Sequence, residues 1–209
     1  MTQADPSATL PQAARPARGG RAIFTIASAN YLAYAATLMQ SVRAQHPDIP
    51  RFVILADRPV ALDGLDLAAT LVECEALGVP MLGNLALWYS VLEFNTALKP
   101  FAFRHLIERH GFAELVYLDP DILLLAPLRT AFAALAHASL VLTPHRLAPA
   151  GAAARPSDHD ILKAGAYNLG FCALRDDAPA RRLLAWWAEC CATHCRVAVA
   201  DNLFTDQRW

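Results

Sequence analysis

Short apolar-rich runs alternate along this chain with stretches whose apolar residues recur every three or four positions. The runs are Ala22-Ile23-Phe24-Thr25-Ile26-Ala27-Ser28, Phe52-Val53-Ile54-Leu55-Ala56, Thr70-Leu71-Val72-Glu73-Cys74, Leu115-Val116-Tyr117-Leu118 and Ser139-Leu140-Val141-Leu142-Thr143. All five read as strands, and Phe52–Ala56 and Leu115–Leu118 suit strands buried within the sheet of an α/β protein. Between the first two, Leu32, Ala36 and Met39, with Leu38 and Val42 alongside, form the stripe of a helix. Asn30 reads as its N-cap and His46-Pro47 as its end. Residues 22–57 therefore predict a β-α-β unit with parallel strands and a right-handed crossover. Its first strand-to-helix junction brings backbone N–H groups and a helix dipole to the carboxyl edge of the sheet, where anions bind.

Further on, Asp63 to Asp66 reads as a turn. Gly78, Pro80 and Gly83 mark a loop before a short helix around Leu85 to Leu92. Pro100 fits the first turn of a helix whose face carries Phe103, Leu106, Ile107 and His110, and which Gly111 ends. Lys99 then lies at a helix N-terminus, where the dipole disfavours a cation unless an anion sits between it and the amides; the alternatives are an exposed, solvated lysine or one within a longer Pro-kinked helix. A helix runs to Ala136 after Leu123–Leu128, and Pro144 to Asp160 reads as a flexible loop long enough to serve as a lid. Asn168 and Gly170 stand where a polar turn enters the strand ending at Leu174. Asp177 caps a last long helix with Pro179 in its first turn. Leu183, Leu184, Trp187, Ala188 and Cys191 line its inner face and Trp186 points outward.

The chemistry concentrates at Tyr117-Leu118-Asp119-Pro120-Asp121. Ligands of α/β sheets bind beyond the carboxyl ends of the strands, and here a buried run meets a pair of carboxylates there. Pro120 fixes one φ angle and removes one donor between them. Hard carboxylates on a rigid corner suit Mg²⁺ or Mn²⁺, whose open positions take phosphate oxygens. Tyr31, at the first junction, is placed either to stack on a base or to be the first core-facing aromatic of its helix.

Composition narrows the function. The chain has 209 residues, enough for one domain with a substantial core, and is 56% hydrophobic, 18% charged and of formal net charge −1. A nucleic-acid partner, which needs a basic face, is excluded, and no apolar run reaches membrane-spanning length. Met1 to Arg21 lacks the apolar core of a secretory signal and reads as a disordered Ala/Pro/Arg-rich tail, which points to a cytoplasmic protein. The five cysteines are an odd number without framework spacing. Cys190, Cys191, His194 and Cys195 cluster, yet without a C-x-x-C or a second ligand pair they read as reduced, partly buried thiols rather than a zinc site. The chain stops at Trp209 directly after Asp206-Gln207-Arg208, which reads as an interrupted domain.

The ordered set of Asn30-Tyr31, Lys99-Pro100, Asp119-Pro120-Asp121, Tyr167-Asn168-Leu169-Gly170 and Asp206-Gln207 resembles glycosyltransferases of the GT-A fold, close to glycosyltransferase family 8. The resemblance spans residues 22–209. It implies a Rossmann-like α/β/α sandwich with a mostly parallel central sheet, a nucleotide-diphosphate sugar as donor, and Mn²⁺ or Mg²⁺. By that resemblance Asp119 and Asp121 hold the metal, and Thr25, Ile26, Ala27, Asn30, Tyr31 and Asp57 belong to the nucleotide site. Lys99 stands near the donor phosphates. Asn168, Gly170, Asp206 and Gln207 line the sugar and acceptor pocket, with Asn168, Asp206 and Gln207 as the catalytic candidates. Such chemistry needs cations beside a leaving diphosphate and paired donors and acceptors for sugar hydroxyls.

The pattern departs from the family in two places. Lys99 stands where many relatives carry Arg, and an ammonium does not reproduce a bidentate guanidinium. The family's C-terminal metal-binding histidine and phosphate-binding lysine have no counterpart before Trp209. The alternative reading is a glycosyltransferase-like domain that binds a nucleotide or a partner without turnover. A haloacid-dehalogenase phosphatase fits less well. Its Asp-x-Asp normally opens the fold and is followed by Thr or Val, where this chain has Leu123. A sugar nucleotidyltransferase would carry a Gly-rich loop where Ala27-Ser28-Ala29-Asn30 stands. The acceptor, whether glycan, lipid or protein, and the oligomeric state are left open.

Overall fold

The computed structural model describes residues 19–62, 64–151 and 153–209. Its first unit is β1 (Arg21–Ala27), α1 (Leu32–Gln45) and β2 (Arg51–Leu55), with β2 parallel to β1. Leu32, Ala36, Leu38, Met39 and Val42 are all buried along α1, so the apolar stripe is the face that meets the sheet. The entry to the helix differs from expectation. Residues 29–31 form a 3-10 turn, Tyr31 occupies the N-cap position of α1, and no side chain caps it. Asn30 sits inside that turn, one step too early to reach the free amides of α1, and so does not cap it.

β3 (Thr70–Glu73) adds a further parallel strand. Two helices, α2 (Leu82–Trp88) and α3 (Val91–Ala97), follow where one was expected. The break lies at Ser90. Its side chain accepts from the Glu93 N–H while Glu93 accepts from the Ser90 N–H, a capping box that starts a new helix. α4 (Lys99–His110) has Pro100 in its first turn and ends at Gly111, whose φ of 77° is the left-handed conformation a glycine adopts freely. β4 (Glu114–Leu118), α5 (Arg129–Leu135) and β5 (Leu140–Pro144) come next.

The segment from Pro144 to Asp160 is not loop throughout. A capping box between Ser157 and Asp160 opens α6 (Asp158–Ala164). β6 (Tyr167–Arg175) and α7 (Ala178–His194) complete the body, and Asp177 caps α7 by accepting from the Ala180 N–H. A small hairpin of β7 (Val197–Ala198) and β8 (Leu203–Phe204) leads to Trp209.

The main sheet has the order β3-β2-β1-β4-β6-β5. β1 to β4 are parallel, β6 runs antiparallel to β4, and β5 antiparallel to β6. The carboxyl ends of β1 to β5 and the start of β6 therefore share one edge. β4 is buried on both faces. Leu115 and Tyr117 join the core under α4 and α7, while Val116 and Leu118 join the one under α1 and α5. Phe24 on β1 meets Phe103 on α4 edge-on at 4.8 Å. Such a pair adds about 0.5–1.5 kcal/mol beyond the area it buries.

Arg21, expected in the tail, opens β1 instead. Its Nε donates to Glu114 at 2.7 Å and its guanidinium lies 4.5 Å over the Phe132 ring. Residues 1–18 of the expected tail, and Asp63 of the expected turn, lie outside the described residues. No helix among the described residues is long and apolar enough to cross a membrane.

Candidate active site

β4 stops at Leu118 because the chain turns there. The Asp119 N–H donates to the Gly170 carbonyl at 2.8 Å, and the Ile122 N–H donates back to the Asp119 carbonyl at 3.1 Å. This puts Asp119, 40% exposed along its side chain, and the exposed Asp121 on the rim of the sheet edge. Tyr117 lies two residues before Asp119, on the same face of the strand. Its hydroxyl donates to Asp119 Oδ1 at 2.6 Å. Burial, and then the Asp119 carboxylate, push this phenol well above its ordinary range, so it serves as a donor.

Gly170 is fitted to the same corner. A Cβ there would stand 2.9 Å from Asp119 Oδ2 and 2.9 Å from Asn168 Oδ1. Its N–H donates to Asn168 Oδ1 at 2.8 Å, which fixes the exposed Asn168 beside the carboxylates.

Under this rim lies a buried ion pair. Lys99, the first residue of α4, is 2% exposed, and its Nζ stands 2.8 Å from Asp206 Oδ2 and 3.9 Å from Asp119 Oδ1. It also donates to the Leu169 carbonyl at 2.9 Å and lies 4.6 Å over the Tyr117 ring. α3 runs into α4 through Leu98, which is itself helical, and the anion that meets the buried Lys99 is Asp206. This corrects the expectation that Lys99 faces donor phosphates, because its ammonium is sealed below the rim and already engaged. Burial alone would lower the Lys99 pKa, but Asp206 and then Asp119 outweigh it and raise it, so the ammonium stays charged. Burial pushes the Asp206 carboxyl up while Lys99 pulls against it. Asp206 has no exposed surface, so this catalytic candidate lies beneath the site and not in it.

The elements around Asp206 hold it there. The Tyr89 hydroxyl clasps the end of α7, donating to the Cys191 carbonyl at 2.8 Å and accepting from the Cys195 N–H at 3.2 Å. Glu93 accepts from the Val197 N–H at 2.6 Å, and the Thr205 N–H donates to the Arg196 carbonyl at 3.0 Å. Gly165, at φ 137°, packs against Gln207 so closely that a Cβ would fall 2.1 Å from the Gln207 carbonyl oxygen. Cys191 and Cys195 are buried here as free thiols, and among the described residues no group of three or more His, Cys, Asp or Glu is arranged to hold a metal.

The other side of the edge carries the nucleotide-site candidates. Thr25, Ile26 and Ala27 are sealed in the central strand at 0–2% exposure, because β1 is flanked by β2 and β4 and covered on both faces. They offer a ligand no side chain. Asp57 accepts from the Arg58 N–H at 2.9 Å and the Ala29 N–H at 3.4 Å, which brings it to the turn carrying Asn30. Tyr31 is 43% exposed, its ring 5.2 Å from that of Tyr34, and so does not face the core. Gln207 lines a cleft of ≈ 610 Å³ between β5, α6 and the chain end, together with Leu142, Tyr167, Leu169 and Trp209. His145 Nδ1 lies 3.1 Å from the Gly165 carbonyl.

Sequence reasoning missed Tyr117 and the Leu169 carbonyl as parts of this arrangement. The spacing of Tyr117 two residues before Asp119 was the available signal. The rim carries the exposed carboxylates of Asp119 and Asp121, and the charge of Lys99 beneath it is already met by Asp206, so the rim favours cations. Two carboxylates do not fill the coordination of Mg²⁺ or Mn²⁺, but these ions are commonly bound by one or two carboxylates with substrate phosphates supplying the rest. The residues present fit such an ion.

No protein-family model and no curated protein sequence matches the chain. Solved structures do. The galactosyltransferase LgtC, solved with donor and acceptor sugar analogues, is similar at a TM-score of 0.52 and 17% identity, over 89% of this chain and 68% of that one. The glycosyltransferase GlyE of Streptococcus pneumoniae TIGR4 is similar at a TM-score of 0.52 and 14% identity, over 90% of this chain and 42% of that one. The six-stranded, mostly parallel sheet between helices is thus the GT-A fold of these glycosyltransferases. The chain spans about two thirds of one and well under half of the other.

Proposed function

We propose that the chain is a glycosyltransferase that moves a hexose from a nucleotide-diphosphate sugar to an acceptor hydroxyl, in bacterial polysaccharide or glycoconjugate synthesis. Residues 22–209 form its donor-binding domain, and the order of its motifs favours family 8. The observation that carries this reading is the corner built by Tyr117, Asp119, Asp121 and Gly170 at the carboxyl edge of a GT-A sheet. A rim of carboxylates with so little cationic company suits a divalent ion and a diphosphate together.

In this reading Asp119 and Asp121 hold Mn²⁺ or Mg²⁺. The bound ion would neutralise charge on the leaving diphosphate. Tyr117 fixes the orientation of Asp119 through its hydroxyl. The bare backbone at Gly170 lets a sugar approach the carboxylates, and Asn168 offers its amide nitrogen to a hydroxyl. Asp57, Asn30 and Tyr31 border the nucleoside side. Thr25, Ile26 and Ala27 contribute a wall of backbone only. Gln207 faces the neighbouring cleft, which has room for an acceptor.

The burial of Asp206 favours a second reading, a domain that binds the nucleotide without turnover. A panel of UDP- and GDP-sugars, incubated with Mn²⁺ or with EDTA, separates the two. Release of one nucleoside diphosphate with Mn²⁺ and none with EDTA is expected. Binding without release of any nucleotide would establish the second reading.

A further inference from the structure

We infer that Asp206 is a positioning residue which keeps Lys99 off Asp119, leaving that carboxylate free to take a divalent cation. The inference rests on the reading that Asp119 is a metal ligand. Lys99 is the buried cation shared by both carboxylates, at 2.8 Å from Asp206 and 3.9 Å from Asp119. The asymmetry follows from exposure. Asp119 is 40% exposed and also accepts from Tyr117, so water and a phenol already stabilise its charge. Asp206 has no exposure, and besides Lys99 its carboxylate has the Thr205 hydroxyl at 3.2 Å. A buried carboxylate without its cation is far costlier than a solvated one. The ammonium therefore settles on Asp206.

An ammonium has three donors. One goes to the Leu169 carbonyl, which fixes the height of Lys99 within the floor. Remove the charge of Asp206 and the balance reverses. Asp119 becomes the carboxylate within reach, and a shift of roughly 1 Å would bring it to ion-pair contact at hydrogen-bonding distance. A bound ammonium then competes with a metal ion for the same oxygen. The segment carrying Asp206 would in this way set the cation affinity of a carboxylate that shares Lys99 with it, without touching the metal.

The test uses the full chain with Asp206→Asn and with Lys99→Met/Asp206→Asn, their folding verified by circular dichroism. Free Mn²⁺ is titrated and followed by electron paramagnetic resonance. Asp206→Asn is expected to weaken Mn²⁺ binding by roughly tenfold, and the double variant, which has no ammonium to compete, to return close to wild type. A double variant that binds as weakly as the single one, or a single variant that binds like wild type, overturns the inference. If the wild type binds no Mn²⁺, the metal reading fails, and melting in EDTA decides the inference alone. Asp119→Asn should then lower the melting temperature more in the Asp206→Asn background than in the wild type. Equal shifts in the two backgrounds contradict it.

Discussion

Asp119 and Asp121 sit on the rim of the sheet edge, whereas Lys99 and Asp206 sit beneath it with almost no exposure. The rim comes from one continuous stretch, a strand end and its turn. The pair beneath is assembled from the first residue of α4 and the last turn of the described chain, so it needs the whole fold. Solvated charges cost little to keep and are free to meet a ligand. Buried ones must satisfy each other, and removing one strands the other. The rim should thus carry binding and the floor should carry stability.

Lys99→Met alone presses this contrast hardest. It leaves Asp206 buried without a cation, and a loss of about 3–5 kcal/mol in urea unfolding is expected. A loss under 1 kcal/mol would mean that the floor is not sealed. Gly165→Ala comes next. Its φ of 137° disfavours any side chain, and the Cβ would collide with the Gln207 carbonyl. A loss of roughly 1–3 kcal/mol is expected, with residues 206–209 cut faster by protease. Tyr89→Phe removes the clasp on α7 and leaves the Cys191 carbonyl and Cys195 N–H without their partner. About 1–3 kcal/mol should be lost, again without an effect that requires ligand.

A smaller effect comes from pH and belongs to the scaffold. His46, His105 and His110 are each held below the ordinary 6.5, by burial first. Arg129 and Arg21 add to it for His46, His110 and Arg109 for His105, and Arg109 for His110. A folded value below the unfolded one means that the unfolded chain binds more protons. The contribution is therefore complete above 6.5 and falls as pH drops through 6.5 toward the folded values. At His46 a hydrogen bond acts in the same direction, since its Nε2 accepts the Leu128 N–H at 2.8 Å and loses that capacity on protonation. Melting temperature should decline between pH 7.5 and 5.5, and His46→Gln should make the decline shallower.

Elements defined by local pattern were legible in the sequence. The first β-α-β unit, the β4 run into Asp119, the Gly111 stop and the Asp177 cap all rest on neighbours within a few residues. Ser90-x-x-Glu93 is an equally local signal, and a single helix around Leu85 to Leu92 overlooks it. The direction of β6 was not legible, because hydrophobic period says nothing about whether a strand runs parallel or antiparallel. The partner of Lys99 was half legible. The place of Lys99 before Pro100 suggested an anion near it, but which one depended on the fold bringing Asp206 back to α4. The same long-range closure explains why Asp206 could be singled out and its burial could not.

Asp121→Ala should have the smallest effect on stability and the largest on binding. Asp121 is exposed, so its removal should change stability by no more than about 0.5 kcal/mol. Calorimetric titration of UDP, GDP and ADP into the wild type and Asp121→Ala, with Mn²⁺ and then with EDTA, tests the central claim directly. The account predicts binding of one nucleotide that requires Mn²⁺ and disappears in an otherwise stable Asp121→Ala. Binding that is indifferent to EDTA, or retained by Asp121→Ala, would contradict it.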